Sequence, residues 1–570
     1  MKNIKLLSIL IVFTLLATVS CEKVLDTEAK DAFAEDLIYS DPDQLVKLVY
    51  TAYNSTEGWA INRYDWWGRR FNNEGAAFEA RYNFKNTDYY RIIAGWTTSN
   101  PSAAFNKKWP DYWDYVRSIN EFLDRIDDCK AMKANPEQVN ILKAEMKFLR
   151  ANLYFKLISY FGGVPIMEHA LGLKDDFNLV RDSYEDCVDF IVKELDEAAA
   201  VLPETRPDKE FGRATKLSAL AVKSRTLLYA ASKLHDPAFA PSNDPLYIYT
   251  KSSKWQDAAD AAEAIVDLVG ARDLIATPNA KAYQELFLKP NIDILFARPY
   301  SSVYFEFGDD ATTLWDQTQS PNGYGGWGIS TPNLLFTMQF NMADGTGTDG
   351  ASFNPVKPND NREMRFYADL LYNGVQFRGR DVQYYLSVNP TAYPNGLDSP
   401  KGGGNPLHSS ATGYNMRKFQ DENVPVAGGI SPQRPYIHYR LAEIYLNYAE
   451  ALYHLSDEVT AREFLNKVSN RALQPDITAS GTALLEAIKR ERRVELCFEG
   501  HNFFDERRWM EVAHLGFAEK GHKWTKAADG TVSFEEYLIQ TRPWWDKMYY
   551  LPIPNTEVEK APSILQNYGY

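Results

Sequence analysis

Residues 136–165 read PEQVNILKAEMKFLRANLYFKLISYFGGVP, and this stretch decides the fold class. Apolar or small residues recur every three or four positions from Ile141 to Ile158, which is the repeat of one helix face. The closing GGVP ends the pattern, because glycine adopts the left-handed cap and proline cannot continue the backbone hydrogen bonds. The sequence therefore predicts an amphipathic helix over 136–161.

The same periodicity recurs on both sides of this segment. Small residues such as Ala219 and Ala230 lie where neighbouring helices would press close together. The pattern predicts an all-α-dominated scaffold of helix pairs. Its helices are expected at about 42–53, 110–125, 183–201, 213–234, 253–269, 436–455, 458–473, 481–498 and 502–515.

Between residues 270 and 432 the composition changes. Glycine, proline, asparagine and aspartate are dense here, and short alternating pieces such as Ile294–Phe296 predict a few strands. So long a stretch with little regular structure is more often functional than not. We expect a helical part over 41–269, an irregular loop-rich insert over 270–432 that forms the ligand site, and a part over 433–570 that completes the scaffold and ends in an irregular tail.

The N-terminus has the layout of a signal peptide. A basic start precedes an apolar run from Leu6 to Ala17, which is shorter than the ~20 residues that span a bilayer. Small or β-branched residues then precede Cys21, which suits cleavage and attachment of a lipid. We predict a lipoprotein signal over 1–20 and a tether over 21–40 that is lipidated at Cys21. An ordinary secretory signal with an incidental cysteine is the alternative.

The net charge and the cysteine content limit which classes of function the protein can have. The net charge of −14, without a basic run that interleaves aromatics, argues against a nucleic-acid partner. Beyond Cys21 the chain has Cys129, Cys187 and Cys497, an odd number that cannot all pair within the chain. Each lies in a helical pattern among apolar neighbours, so we predict buried thiols.

The densest group of charges gives no catalytic site. Glu491, Glu495 and Glu499 recur every four residues and alternate with arginines, which keep carboxylates ionised. A glycosidase needs one protonated carboxylic acid, so we predict a structural network of ion pairs that fixes the last scaffold helix. No zinc-protease, serine-hydrolase or P-loop motif occurs. DGTGTD at 344–349 is similar to a calcium loop but lacks the later glutamate, and we predict no metal site and no cofactor.

Five motifs in order give the chain a resemblance to the SusD/RagB outer-membrane lipoproteins. Residues 148–165 resemble their RAYLYFDL…FGGVPL signature, and residues 213–231 are similar to their GRAT helix. Residues 439–451, RLAEIYLNYAEA after an initial tyrosine, match a third motif, and 491–509 resemble ERRxELAFEGxRxxDLxRW. The chain closes with LPIP at 551–554 and QNYGY at 566–570, much like the ending of the family. Two departures are visible: His501-Asn502 stands where an arginine is usual, and Asn361–Arg365 stands where RDPR is common.

The resemblance implies a fold and a function together. It implies a tetratricopeptide-like α-α scaffold and an irregular part that presents the ligand. Members of the family are cell-surface nutrient receptors, mostly for glycans, and cover a TonB-dependent transporter of the SusC type in the outer membrane. Some members bind peptides instead.

Sugar binding needs flat aromatic faces and a few amide or guanidinium groups. Aromatic residues make up 14% of this chain, and two loop-like stretches supply such faces, one over 64–100 and one over 315–327. In the family, ligand aromatics come from comparable regions, although these segments match no motif residue by residue. For each aromatic, packing in the core is the competing interpretation. The candidate ligand-binding residues are Trp67, Arg70, Tyr90, Trp96, Asn100, Trp315, Tyr324 and Trp327.

The sequence thus predicts a non-enzymatic receptor. It would be a lipid-anchored outer-membrane protein at the cell surface that captures an oligosaccharide and passes it to a SusC-type transporter. A peptide receptor of the same architecture is the alternative. A surface hydrolase would differ by releasing reducing ends from a glycan. A purely structural adaptor would differ by binding no small molecule.

Replacement of the predicted lipid acceptor tests the anchor. We expect Cys21→Ala to leave the protein folded but to move it from the outer-membrane fraction to the soluble fraction, because the lipid would be lost. Cell fractionation in a strain without the partner transporter measures this. A Cys21→Ala protein that still sediments with the outer membrane there would contradict the lipoprotein interpretation.

Overall fold

The computed structural model describes residues 37–56, 73–83, 92–93, 95, 98–100, 107–299, 315–426 and 434–570. The predicted signal and Cys21 lie outside these residues. No helix in the described ranges combines the length and the apolar content that crossing a membrane requires.

The helices of the N-terminal part confirm the sequence prediction closely. They are α1 Pro42–Ala52, α2 Lys108–Ile126, α3 Lys130–Ala134, α4 Pro136–Phe161, α5 Tyr184–Ala199, α6 Lys216–Ala231 and α7 Lys254–Val269.

Helix α4 is the centre of this part. The side chain of Asn135 accepts the backbone N–H of Gln138 at 3.2 Å and caps its start. The helix ends at Gly162, whose φ is +75° and where a Cβ would lie 2.7 Å from the Leu246 carbonyl oxygen. The prediction of a single buried face was wrong, because α1, α2, α3, α5 and α6 all pack on α4. Even Arg150 is buried, and its guanidinium donates to Glu194 at 2.9 Å.

In the part of the insert that the structure describes, over 270–299 and 315–426, the elements are all short, as predicted. Its helices are α8 Ala280–Glu285, α9 Trp315–Gln319, α10 Leu334–Thr337 and α11 Met364–Asp369. They surround a second hydrophobic core that includes Phe336, Phe340 and Phe366.

The helices of the C-terminal part continue the helix stack. They are α12 Leu441–His454, α13 Glu458–Arg471, α14 Thr482–Glu495, α15 Asn502–Trp509, α16 Val512–Leu515 and α17 Asn555–Lys560. Helix α5 packs on α4, α6 on α5, α7 on α6, α12 on α7 and α13 on α12. The buried alanines of α6, among them Ala219 and Ala230, allow this close approach. The all-α-dominated, tetratricopeptide-like scaffold is confirmed.

The strands form small separate sheets. They are β1 Ala80–Tyr82, β2 Ile294–Arg298, β3 Ser330–Pro332, β4 Leu370–Tyr372, β5 Gln376–Phe377, β6 Arg380–Asp381, β7 Leu386–Ser387, β8 Tyr414–Met416, β9 Tyr436–Arg440, β10 Ala518–Lys526 and β11 Val532–Thr541. Antiparallel pairs join β1 to β3, β2 to β9, β4 to β8, β5 to β6 and β10 to β11, while β7 runs parallel to β10.

Three sequence-based assignments need correction. The helix predicted from 436 begins at Leu441, because 436–440 pair with β2 as strand β9. The helix predicted over 502–515 is two helices, since Met510 adopts a left-handed conformation with φ +58° between them. The β10–β11 hairpin was missed, although Asp529-Gly530 between alternating segments is a typical hairpin turn.

The charged cluster around Glu495 is a buried ion network, which confirms the structural interpretation. Glu495 is fully buried and binds three arginines: Arg365 at 2.9 Å, Arg440 at 2.6 Å, and Arg471. Arg440 also binds Glu499 at 2.7 Å. The network therefore joins α14 to α11, β9 and α13.

The arginines hold most of these carboxylates ionised, as predicted. Arg471, Arg440 and Arg365 outweigh burial and hold the pKa of Glu495 well below its usual range. Glu491 departs from the prediction: burial outweighs its contact with Arg365, and its pKa is raised.

Removal of the Glu495 charge tests how far the fold depends on this network. We expect Glu495→Gln to lower the free energy of unfolding by roughly 3–5 kcal/mol, because three buried guanidinium groups lose their shared counter-ion. The measurement is the urea midpoint at pH 7. Glu535→Gln is the matched control, since Glu535 is 64% exposed in its pair with Lys523, and it should leave the midpoint unchanged. Equal midpoints for both variants would contradict the prediction.

Glu74, in the segment before β1, is a buried carboxyl group whose pKa is shifted in the opposite direction to that of Glu495. It is 5% exposed, and no lysine or arginine of the described chain pairs with it. Burial raises its pKa from 4.5 to about 8. A pKa raised in the folded state favours folding below pH 4.5, and this contribution is lost as the pH rises through 8.

Glu74→Gln should remove this pH dependence. Wild type should lose stability between pH 4.5 and pH 8, and the variant should be the more stable protein at the alkaline end. Urea midpoints across that range measure it. Glu559→Gln, at an exposed position, should follow wild type. A Glu74→Gln curve parallel to wild type would argue against the buried, neutral carboxyl group.

Candidate ligand site

The pairing of β1 with β3 joins a strand of the first predicted stretch, 64–100, to the strand that follows the second, 315–327. Ala80 pairs with Pro332 and Tyr82 with Ser330. The ladder extends by one bond, in which the N–H of Asn83 donates to the Ile329 carbonyl at 2.7 Å. Because the pair is antiparallel, Asn83 lies at the end of the pair where the chain enters β3 from Trp327.

Trp327 is half-buried at this end of the pair. Its N–H donates to the Gln317 carbonyl at 2.7 Å, which fixes its backbone to α9. Its ring centroid lies 6.3 Å from that of His408, with the planes at 44°. Burial lowers the pKa of His408, so this neighbour is a neutral imidazole at pH 7. The side chain of Asn83 donates to the Ser409 carbonyl at 2.8 Å and fastens the loop of His408 to β1.

Tyr324 has its ring largely covered. The Arg380 guanidinium lies 3.6 Å from its ring centroid and binds Asp398 with both nitrogens, at 2.7 and 2.9 Å. The hydroxyl of Tyr324 donates to the Phe377 carbonyl at 2.8 Å. Burial raises its pKa. The ring of Tyr324, a candidate for ligand binding, thus supports Arg380, a residue that the sequence did not single out.

Trp315 lies in the interior. It is 6% exposed and belongs to the second core, with its ring 6.2 Å from that of Phe419 in an edge-on arrangement. Trp315 therefore packs in the core, which is the competing interpretation that the sequence allows for each candidate aromatic.

Asn100 is exposed on a segment that packs against the C-terminal tail. Its N–H donates to the Thr98 hydroxyl at 3.3 Å. The carbonyl of Ser99 accepts the N–H of Asn555 at 2.9 Å. The other four candidates, Trp67, Arg70, Tyr90 and Trp96, lie outside the described residues.

The carboxylates near Trp327 and Tyr324 are held by arginines. Asp398 binds Arg380, while Asp316 binds Arg434 as well as Arg378 at 3.0 Å. These two carboxylates act as counter-ions and as hydrogen-bond acceptors within the fold.

The loop over 344–349, which is similar to a calcium loop in sequence, is held by hydrogen bonds of its own. The Asp344 carboxylate accepts hydrogen bonds from Thr346 and Ser352, which lower its pKa to about 2. Over the described residues, no group of three acidic, histidine or cysteine side chains could hold a metal ion.

Cys129, Cys187 and Cys497 are free and buried, as predicted. Burial raises the pKa of Cys187 to about 12, so this thiol stays protonated.

Comparison with known proteins agrees with this architecture. The model of the SusD family matches residues 294–570. A second model, described as "Starch-binding associating with outer membrane", matches residues 42–228. These two matches together take in most of the scaffold and the insert.

Individual relatives extend over nearly the whole chain. The SusD-like protein P25 of Formosa agariphila is 22% identical over 99% of both chains. The starch-binding protein SusD of Bacteroides thetaiotaomicron is 22% identical, over 80% of this chain and 78% of its own. A crystal structure of a SusD-like protein from Bacteroides fragilis is 26% identical, with a TM-score of 0.76 over 95% of this chain and 99% of its own. With its helix-pair scaffold, irregular insert and both family models matched, the chain belongs to the SusD/RagB family.

Proposed function

We propose that this protein binds an oligosaccharide at the end of the β1–β3 pair. The observation that carries the proposal is the half-buried Trp327 with His408 beside it, at the end of the pair where Asn83 lies. A sugar needs flat aromatic faces together with a few polar groups. The relative from Bacteroides thetaiotaomicron and the second family model, both described as starch-binding, support a carbohydrate as the ligand.

The chemistry around Trp327 suits a neutral polar ligand. A half-buried indole offers apolar area for the C–H face of a sugar ring. The neutral His408 imidazole can hydrogen-bond hydroxyl groups without attracting an anion. The arginine-bound carboxylates support binding without covalent change, so we propose a receptor and not an enzyme.

We propose further that the protein works at the outer membrane, where it passes its ligand to a TonB-dependent transporter of the SusC type. The description of the second family model supports association with the outer membrane. A lipid on Cys21 would provide the anchor. The helix stack would offer the transporter a rigid surface, as tetratricopeptide-like scaffolds do for protein partners.

Calorimetric titration of the purified full-length protein in detergent tests the ligand class. The probes are maltoheptaose, laminarihexaose, xylohexaose and a peptide digest. We expect binding to at least one saccharide. Trp327→Ala and Trp96→Ala should each raise its Kd about tenfold or more, because truncation of a central tryptophan costs on the order of 2 kcal/mol.

Trp255→Ala is the matched control. Trp255 is also half-buried and stacks on a histidine, His454, at 3.8 Å, but it lies on scaffold helix α7. Its Kd should equal that of wild type. Binding of peptides alone would replace this proposal by the peptide-receptor alternative, and release of reducing ends during incubation would contradict a non-enzymatic role.

A further inference from the structure

Strand β11 is a long strand at the edge of its sheet. It spans Val532–Thr541, and the strand order β11-β10-β7 gives it a neighbour on one side only. Among the residues that the structure describes, no backbone group bonds to 532–541 from the other side. Because an unpaired edge of this length can take up a further strand, the free edge of β11 is a candidate interaction surface.

The contacts of β10 on the side away from β11 show how its backbone is oriented. The N–H of His522 donates to the Thr412 carbonyl at 2.9 Å, and the carbonyl of Lys526 accepts the N–H of Val388 at 3.0 Å. His522 and Lys526 therefore turn their backbone groups away from β11. They occupy the positions of an antiparallel pair that are not joined by hydrogen bonds.

The register transfers this orientation to β11. His522 lies opposite Glu536 and Lys526 opposite Val532, and Phe534 lies midway between the two. Residues opposite each other at such positions direct their backbone groups to opposite sides of the pair. Val532, Phe534 and Glu536 therefore present their N–H groups and carbonyls at the free edge.

This edge also has few of the features that usually prevent strand addition. Edge strands are commonly protected by lysine, by proline or by a bulge. The sequence of β11, VSFEEYLIQT, contains neither lysine nor proline. The register shift between Glu519 and Lys520 lies beyond Leu538, so 532–538 pair regularly with 520–526. A further strand could therefore pair with β11 over 532–538.

One face of β11 is mostly apolar. Val532 is 37% exposed and Leu538 is 59% exposed. Between them Phe534 is half-buried, with its ring centroid 5.0 Å from that of Trp524, and Trp524 packs on a small core of the insert. An added strand would place every second side chain beside Val532, Phe534 and Leu538, and apolar side chains there would bury surface on both partners.

Two acidic residues of β11 define the charge that the partner should carry. Glu535 is 64% exposed and Glu536 is 54% exposed, and as neighbours in a strand they lie on opposite faces. Their ion-pair partners, Lys523 and Lys520, lie on the inner neighbour β10. Lysine or arginine opposite each glutamate in an added strand would be favourable, and a further acid would be unfavourable.

We propose that the outer edge of β11 is a docking site for an extended segment of a partner protein in which apolar and basic residues predominate. The segment would join the sheet as a further strand, with main-chain hydrogen bonds for affinity and side-chain pairs for specificity. A second copy of this chain is a poorer occupant, because two antiparallel β11 strands centred on Glu535 and Glu536 would set like charges opposite each other. The inference goes beyond the proposed function and does not depend on sugar binding.

Calorimetric titration of the full-length protein in detergent with synthetic peptides tests the docking site. The probe is the peptide Val-Thr-Lys-Arg-Val-Thr-Val, acetylated and amidated at its ends. In an antiparallel arrangement its lysine and arginine fall opposite Glu536 and Glu535. We expect the probe to bind.

Two modified probes identify the interactions that hold the peptide. In the first, glutamate replaces both the lysine and the arginine, so like charges meet. In the second, the backbone nitrogens of the lysine and of the valine after the arginine are methylated, which removes two main-chain donors. Each change should raise the Kd about tenfold or more.

Charge reversal on the protein tests the same pairing from the other side. Glu535→Lys/Glu536→Lys should raise the Kd of the unmodified probe about tenfold and should bind the glutamate probe more tightly than wild type does. Glu121→Lys/Asp127→Lys is the matched control. It makes the same charge change at two acids of exposed ion pairs, at 51% and 62% exposure, on α2 and directly after it. It should leave the Kd unchanged.

Hydrogen exchange locates the bound probe. The probe should slow exchange of the backbone N–H groups of Val532, Phe534 and Glu536 in wild type and leave helix α17 unchanged. Absence of probe binding, equal Kd values for the probe and its N-methylated form, or unchanged exchange in β11 would overturn the inference. Concentration-dependent dimerisation of wild type that protects the same N–H groups would make a second copy the occupant and would also overturn it.

Discussion

The buried carboxylate of Glu495 is the contact on which the arrangement of scaffold and insert depends. It accepts from Arg365 of the insert, from Arg440 at the end of β9 and from Arg471 of α13. Burial of charge is costly unless each group is paired, so these elements are stable only in the one arrangement that brings all four side chains together. Strand β9, which supplies Arg440, leads directly into helix α12 and pairs with β2.

The second constraint is a short antiparallel pair. Strands β1 and β3 have three residues each, and one lies near the N-terminus while the other belongs to the insert. So short a pair is not stable alone. It is stabilised by packing: Phe78 and Ala80 lie in the same core as Phe336 and Phe498. The proposed ligand surface is therefore built on the junction of two distant chain segments.

Local patterns in the sequence were sufficient to predict the helices, but they could not assign roles to the aromatic residues. Helix α4 was found with its exact ends because capping residues and periodicity are local signals. Trp315, Tyr324 and Trp327 stand in one loop-like stretch and are indistinguishable there, yet one is in the core, one supports Arg380 and one is half-exposed.

The sequence by itself determined the helix pairs, the buried thiols, the structural nature of the Glu495 cluster and the family, because each follows from spacing or from motifs within short windows. Only the tertiary structure decided which arginines share a carboxylate, which strand replaces the start of a predicted helix, and which rings face solvent. Those outcomes depend on contacts between residues hundreds of positions apart. Such contacts are fixed by burial and hydrogen bonding in the folded chain, and no local pattern records them.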